Sequence, residues 1–374
     1  MTNGELVIVA DEDMPLVHNL FGPFGKVMLL PGREICSGHV KDADLLLVRS
    51  VTQVNERLLK GSNVKFIGSA TIGIDHVDRG YLSAHGIHFT AAPGCNANAV
   101  IEYVLSSMCR LQPDWRNKTV GIVGCGNVGG RLYHLLSSIG VSCYGYDPYL
   151  LSTDFRSTTF EEILACDIIC LHTPLTTQGP YPTYHLFNHR VLNCLRPGTV
   201  LINAGRGDVI DNSALLKQLS SGADLSVALD VWSGEPDIDR QLMERVSIAT
   251  PHIAGHSLEG KVRGSTMVFD AFLHWINQDH DYSAFTEPKP ADTVTDVSTI
   301  NDAILACYDV CEDDKRMRDL MLSSTESTGM VFDRLRREYQ LRREFGATIL
   351  SRQKLESCEV TNLMRLGFRL DDTH

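Results

Sequence analysis

Between Thr119 and His252 the chain repeats one pattern six times: a short apolar run, a helix-length stretch, then the next run. The runs are "TVGIVGCG", "SCYGYD", "DIICLHTP", "TVLINAG", "LSVALDV" and "VSIATPH". Runs this short and this continuously apolar are buried on both faces, which points to parallel strands covered by helices. The first run passes into "GCGNVGG", where Gly124, Gly126 and Gly129 fit G-x-G-x-x-G, and "RLYHLLSSIG" continues as a helix. Each glycine has its own reason: a tight turn, close approach of a pyrophosphate to bare backbone, and close packing of helix on strand. The helix N-terminus adds free N–H donors for phosphate oxygens, so Asn127 and Val128 join the cofactor-binding candidates. The second run ends on Asp147, whose carboxylate suits ribose hydroxyls and repels a 2′-phosphate. The pattern therefore predicts a six-stranded Rossmann domain that takes NAD rather than NADP.

A sparser alternation precedes it. "LVIVA", "DLLLVRS" and "VKFIGSA" read as strands of a second α/β sheet, and "AVIEYVLSSMCRL" as a long apolar helix that "PDWRNK" breaks. After Ser257, "EGKVRGSTMVFDAFLHWIN" is helical, and "SAFTEPKPADTVTD" reads as a linker. The remainder, from about 297, reads as two charged helices and a strand–helix–strand unit. A length of 374 residues is too great for one ordinary core. The net charge of −12 argues against a general nucleic-acid binder. No run reaches the length of a membrane span, and "MTNGELVIVADEDMP" lacks the basic-then-apolar design of a signal peptide. The expectation is a cytoplasmic protein with no membrane partner, whose eleven cysteines stay reduced. Cys166 and Cys170, like Cys307 and Cys311, have C-x-x-x-C spacing. Each pair lies in an apolar run, so they read as core residues and no metal site is expected.

An open α/β sheet presents its functional residues at the carboxyl ends of its strands. Those ends carry Thr173, then Ala204 and Arg206, then Asp230 and Glu235, and finally His252. The set suits hydride removal from a hydroxy acid. Arg206 can pair with a carboxylate and polarise the reacting oxygen. His252 can take the hydroxyl proton, and Glu235 can hold its imidazole in one tautomer.

In this order, "GCGNVGG", "INAGRGDVID", "ALDVWSGEP" and "TPHIAGHS" resemble the D-isomer-specific 2-hydroxyacid dehydrogenases, and the resemblance covers about residues 1–280. It implies an α/β architecture in which a Rossmann NAD-binding domain (96–253) is inserted into a flavodoxin-like substrate-binding lid domain (1–95 and 254–285). By motif match Arg206, Glu235 and His252 are the catalytic trio. Thr173, Asp230 and Gly255 match NAD-contacting positions, and Ser50 and Thr71 substrate-contacting ones. "DEDMP", "GSATIGIDHVD", "APGCNANAVIEYV" and "HIAGHSLEGKVRG" are similar to one branch of the family. That branch implies a small phosphorylated hydroxy-acid substrate and a small α+β C-terminal domain (286–374) that makes a homodimer. The loop "ATIGID" can offer backbone N–H groups to the substrate carboxylate. His256 stands where relatives often carry tyrosine, and reads either as a donor to the substrate or as a bystander. For the phosphate, Arg49 faces the cleft. Arg336, Arg337, Arg342 and Arg343 in "RLRREYQLRREF" read as one helix, which either reaches a dimer partner's site or is a solvated face paired with its own glutamates.

Overall fold

The structure is a computed structural model that describes residues 5–150, 155–156, 158–279, 293–294, 297–340, 342–351 and 355–371. The chain divides into two compact units. One comprises Met1–Asn96 and Ser257–Lys289, the other Ala97–His256 and Pro290–His374.

In the first unit, β1 (Leu6–Asp11), β2 (Gly25–Leu30), β3 (Leu45–Val48), β4 (Phe66–Ser69) and β5 (His88–Ala91) form a parallel sheet in the order β2-β1-β3-β4-β5. That is the flavodoxin-like strand order. Sequence reading misses β2 and β5 because they are the two edge strands. Each keeps a partly open face, so neither carries a continuous apolar run. The helix Leu258–Ile276 packs its Phe269 and Phe272 against Phe21, with ring centroids 5.0 and 5.4 Å away. Gly68 of β4 permits this approach, since a Cβ there would lie 2.2 Å from Val268 Cγ1.

In the second unit the six expected strands are β6 (Thr119–Val123), β7 (Ser142–Tyr146), β8 (Ile168–Leu171), β9 (Thr199–Asn203), β10 (Leu225–Leu229) and β11 (Ile248–Ala249). All pair in parallel, in the order β11-β10-β9-β8-β6-β7. The order in which the chain adds strands reverses between β6 and β8, the switch point where such sheets bind ligands. The helix Ala97–Leu111 is buried along almost its whole length. It supports the C-terminal segment, as does Trp115, whose indole donates to Asn301.

Among the described residues that segment opens with three helices, Ile300–Cys307, Val310–Ser323 and Thr328–Arg337, where two were expected before the strand–helix–strand unit. The additional one, "INDAILAC", is apolar rather than charged. Then β13 (Ile349–Leu350), the helix Ser357–Arg365 and β14 (Arg369–Leu370) make the expected strand–helix–strand unit. The stretch read as a linker contains a short strand, β12 (Thr293–Val294), which pairs with β13. The rest of that stretch falls outside the described residues, apart from those two. "RLRREYQLRREF" is not one helix. The helix ends at Arg337, and Arg342 lies beyond it, buried rather than solvated. Cys166 and Cys170 are buried free thiols, and Cys307 and Cys311 are half-buried ones. No described helix is long and apolar enough to cross a membrane.

Candidate active site

The glycine turn has the shape a dinucleotide needs. Gly124 has a φ of +86°, and a Cβ there would meet the backbone of His172 and Thr173 at 2.9 Å. A Cβ on Gly129 would stand 1.9 Å from Gly124 O, so the helix beginning at Gly129 can pack on β6 only without one. At Gly126 no atom of a described residue lies within 4 Å of where a Cβ would stand, which leaves the backbone open to a pyrophosphate. Asn127 and Val128 complete the turn, and Val128 is the residue before the helix. Asp147 accepts from Cys125 N–H at 3.0 Å and from Tyr149 N–H at 3.1 Å. It is thereby fixed beside the turn with lone pairs left for ribose hydroxyls. The Thr173 hydroxyl, next to Gly124, is shielded and has no hydrogen-bond partner among the described residues. Half-buried Ala204 follows β9 in the neighbouring loop. These features fit NAD. Replacing Asp147 with alanine is expected to raise the KM for NAD about 10- to 100-fold, the value of one or two charged hydrogen bonds. The KM for NADP should change less, and initial rates with both nucleotides check this.

β9, β10 and β11 are neighbours, so the loops that leave their carboxyl ends lie side by side. His252 has a φ of +57° and donates its N–H to Asp230 O at 2.7 Å. Its Nδ1 is 2.7 Å from Glu235 Oε2, while Glu235 Oε1 accepts from Trp232 N–H at 2.8 Å. Burial works against ionisation of Glu235. The adjacent His252, the two hydrogen bonds and Arg336 outweigh it and hold the carboxyl below its ordinary value. An ionised Glu235 assigns the imidazole proton to Nδ1 and leaves Nε2 as the base.

Asp230, one of the residues the resemblance implies for the cofactor, also has a role within the protein. Its carboxylate is only 1% exposed and accepts from the Thr250 hydroxyl, Ile253 N–H and Ala254 N–H at 2.7, 2.8 and 2.9 Å. Holding the His252 loop is what those contacts do. Gly255 and His256 complete that loop, and the His256 ring meets Tyr339 edge-on at 5.7 Å.

Arg206 is half-buried, with Nη1 donating to Gly205 O at 2.9 Å. Buried Asn203 straddles its turn, donating to Arg206 O and accepting from Gly205 N–H. Gly207 touches the next loop so closely that a Cβ would lie 2.0 Å from Trp232 C. The Trp232 indole in turn donates to Thr250 O at 2.9 Å. Sequence reading missed Asn203, Trp232 and Thr250, which act on the site through other residues. Their only local signal is position: each sits at or just past the carboxyl end of a strand.

In the other unit, Ser50 is exposed just after β3. Thr71 belongs to a relay in which His76 Nε2 and Ser69 Oγ are 3.0 Å apart, Ser69 Oγ and Thr71 Oγ1 2.7 Å, and Thr71 donates to Gly73 O at 2.9 Å. The relay shapes "ATIGID", where the N–H groups of Thr71 to Ile74 donate to no other described residue. Arg49 is bound to Asp11 at 3.3 Å and also to Asp13, so much of its charge is met within its own unit.

Burial lowers the His76 pKa from 6.5 to about 4, against a smaller opposing effect of Asp75. A histidine depressed by folding contributes stability that is present above pH 6.5 and is lost as pH falls towards 4. The gap is worth on the order of 3 kcal/mol. Urea midpoints should therefore fall less between pH 7 and pH 4.5 in His76→Gln than in the parent.

A family model described as D-isomer specific 2-hydroxyacid dehydrogenase, NAD binding domain, matches residues 103–254, and a domain of unknown function, DUF3410, matches 284–367. Erythronate-4-phosphate dehydrogenase of Saccharophagus degradans is 47% identical over 91% of this chain and 93% of its own length. The Escherichia coli O1:K1 protein of that name is 43% identical over 96% and 97%. The chain belongs to the D-isomer-specific 2-hydroxyacid dehydrogenases. As a 2-hydroxyacid dehydrogenase it uses NAD. Its fold is similar to that of NAD-bound 3-phosphoglycerate dehydrogenase from Entamoeba histolytica, with a TM-score of 0.64, 25% identity, and coverage of 73% of this chain and 96% of that one. D-lactate dehydrogenase of Aquifex aeolicus, at 22% identity over 72% and 95%, shares the fold with a TM-score of 0.61.

Proposed function

We propose that the chain oxidises 4-phospho-D-erythronate to (R)-3-hydroxy-2-oxo-4-phosphooxybutanoate, as a step of pyridoxal 5′-phosphate biosynthesis. The observation that carries the chemistry is the Glu235–His252 pair at 2.7 Å on a loop adjoining that of Arg206. Similarity to the erythronate-4-phosphate dehydrogenases over nine-tenths of the chain supports the choice of acid.

NAD, when bound, supplies the hydride acceptor, held by the turn Gly124–Gly129, Asp147 and the loops of Thr173, Ala204 and Gly255. The protein's residues do the rest. His252 Nε2 removes the proton from the C2 hydroxyl, and the resulting imidazolium is stabilised by ionised Glu235. Arg206 binds the carboxylate and the C2 oxygen, drawing electron density to that oxygen as it becomes a carbonyl. The N–H groups of "ATIGID" take part in holding the carboxylate, and Ser50 and Thr71 are further substrate contacts. The lid domain (1–95 and 254–285) thus supplies binding and the Rossmann domain (96–253) chemistry. Residues 286–374 form the homodimer contact, and sedimentation at twice the chain mass would bear that out. Eleven cysteines, all free thiols, support a cytoplasmic setting.

The test is the ratio of kcat/KM for 4-phospho-D-erythronate to that for D-erythronate. A value of 10² or more is expected if the site is built for the phosphate, since leaving buried binding groups unpaired is costly. A ratio near one would point to a different hydroxy acid.

A further inference from the structure

The loop that carries His252 is held from two directions, and one of them is the C-terminal segment. From the Rossmann core, Asp230 accepts from Ile253 and Ala254 N–H. From the other side, Arg342 Nη2 donates to Ala254 O at 3.0 Å and also to Ala99 O, in the first turn of the helix Ala97–Leu111. One guanidinium therefore ties the loop to that buried helix. Arg342 Cζ lies 4.1 Å over the Tyr308 ring. The Tyr308 and Tyr339 hydroxyls both donate to Asp313 Oδ2, at 2.8 and 2.7 Å, and the Tyr339 ring is the one that meets His256. Phe345 N–H donates to Glu102 and the Asn98 amide to Glu344, fastening the segment around Arg342 to the same helix. On the near side of His252, Asp314 accepts from Ala249 N–H at 2.7 Å.

Residues 249, 254 and 256 thus flank His252 and all touch the C-terminal segment. Arg342 is 7% exposed, and the Glu102 and Asp313 carboxylates act on its charge. If only volume had to be filled there, an apolar side chain would do so without the cost of desolvating a cation. What an apolar side chain lacks is a donor for the Ala254 carbonyl, which water does not reach at a residue 1% exposed.

We propose that Arg342 is a positioning residue for the reaction: by holding Ala254 O it sets where His252 stands, which makes the C-terminal segment part of the catalytic apparatus of its own chain. The proposal rests on the reading of His252 as the base. A base displaced by about 1 Å costs on the order of 10²-fold in rate.

The full chain is compared with Arg342→Met and Arg342→Lys in single turnover, with excess NAD and 4-phospho-D-erythronate. Arg337→Met, on the exposed end of the helix Thr328–Arg337, serves as a surface control. The expected result is a rate constant for NADH formation about 10²-fold lower in Arg342→Met. Burst amplitude and the KM for the acid should stay within about twofold, and lysine, which restores a donor, should recover much of the rate. Folding damage alone would lower the amplitude and leave the rate constant unchanged, and that outcome overturns the proposal. Hydrogen exchange of the same variants decides the question without substrate. The amides of Ile253, Ala254 and His256 should exchange faster in Arg342→Met while those of β6 to β10 do not. Unchanged exchange at the loop overturns the proposal, whereas a parent enzyme silent towards the four-carbon acid counts only against the choice of substrate.

Discussion

Replacing His252 with alanine is expected to lower the single-turnover rate about 10³- to 10⁴-fold, the upper part of what a positioned general base contributes. NAD affinity should change by less than about twofold, because the glycine turn and Asp147 leave β6 and β7, at the other end of the sheet from β11. Glu235→Gln should produce a smaller loss, about 10²-fold. It keeps the shape of the contact at Nδ1 and removes the negative charge that stabilises the imidazolium. Rapid-mixing absorbance of the nicotinamide measures both, and nucleotide titration by protein fluorescence measures the affinity.

Arg206→Lys is expected to lower kcat/KM by about 10²- to 10³-fold, although it preserves the charge. The two side chains differ in the planar fork, which can meet a carboxylate oxygen and the C2 oxygen together, whereas an ammonium acts as a point charge. Removing one well-placed donor to a developing charge costs a comparable factor. The loss should fall on kcat as well as KM, because the C2 oxygen changes character during the reaction. A change confined to KM would mean that Arg206 binds the acid without assisting its oxidation. Asn203 and Gly207 fix the turn around Arg206, so the lysine variant should keep its backbone.

Much of this site is legible in the sequence, for a physical reason. A parallel strand buried on both faces has to be a continuous apolar run, so the six runs from "TVGIVGCG" to "VSIATPH" locate six strands and, with them, six carboxyl ends. Gly124 and Gly129 are legible because close backbone approaches at those points exclude any side chain. β2 and β5 are not legible, since edge strands need apolar residues on part of their surface only. The tail arginines mislead for a related reason. Charge density predicts a solvated helix, but Arg342 is drawn inside by two carbonyls and an aromatic ring contributed by residues 99, 254 and 308. Nothing within a few residues of Arg342 announces those partners. Asp230 is similar: the position at the end of β10 is readable, while its commitment to the loop 250–254 depends on contacts some twenty residues away.

The central claim is that this chain oxidises a phosphorylated four-carbon hydroxy acid with His252 as base. Single-turnover absorbance with 4-phospho-D-erythronate and, separately, 3-phospho-D-glycerate tests it most directly, because slow release of NADH cannot mask the first turnover. A burst with the four-carbon acid that disappears in His252→Ala is the predicted result. A burst with phosphoglycerate alone, or one that survives the loss of His252, would contradict it.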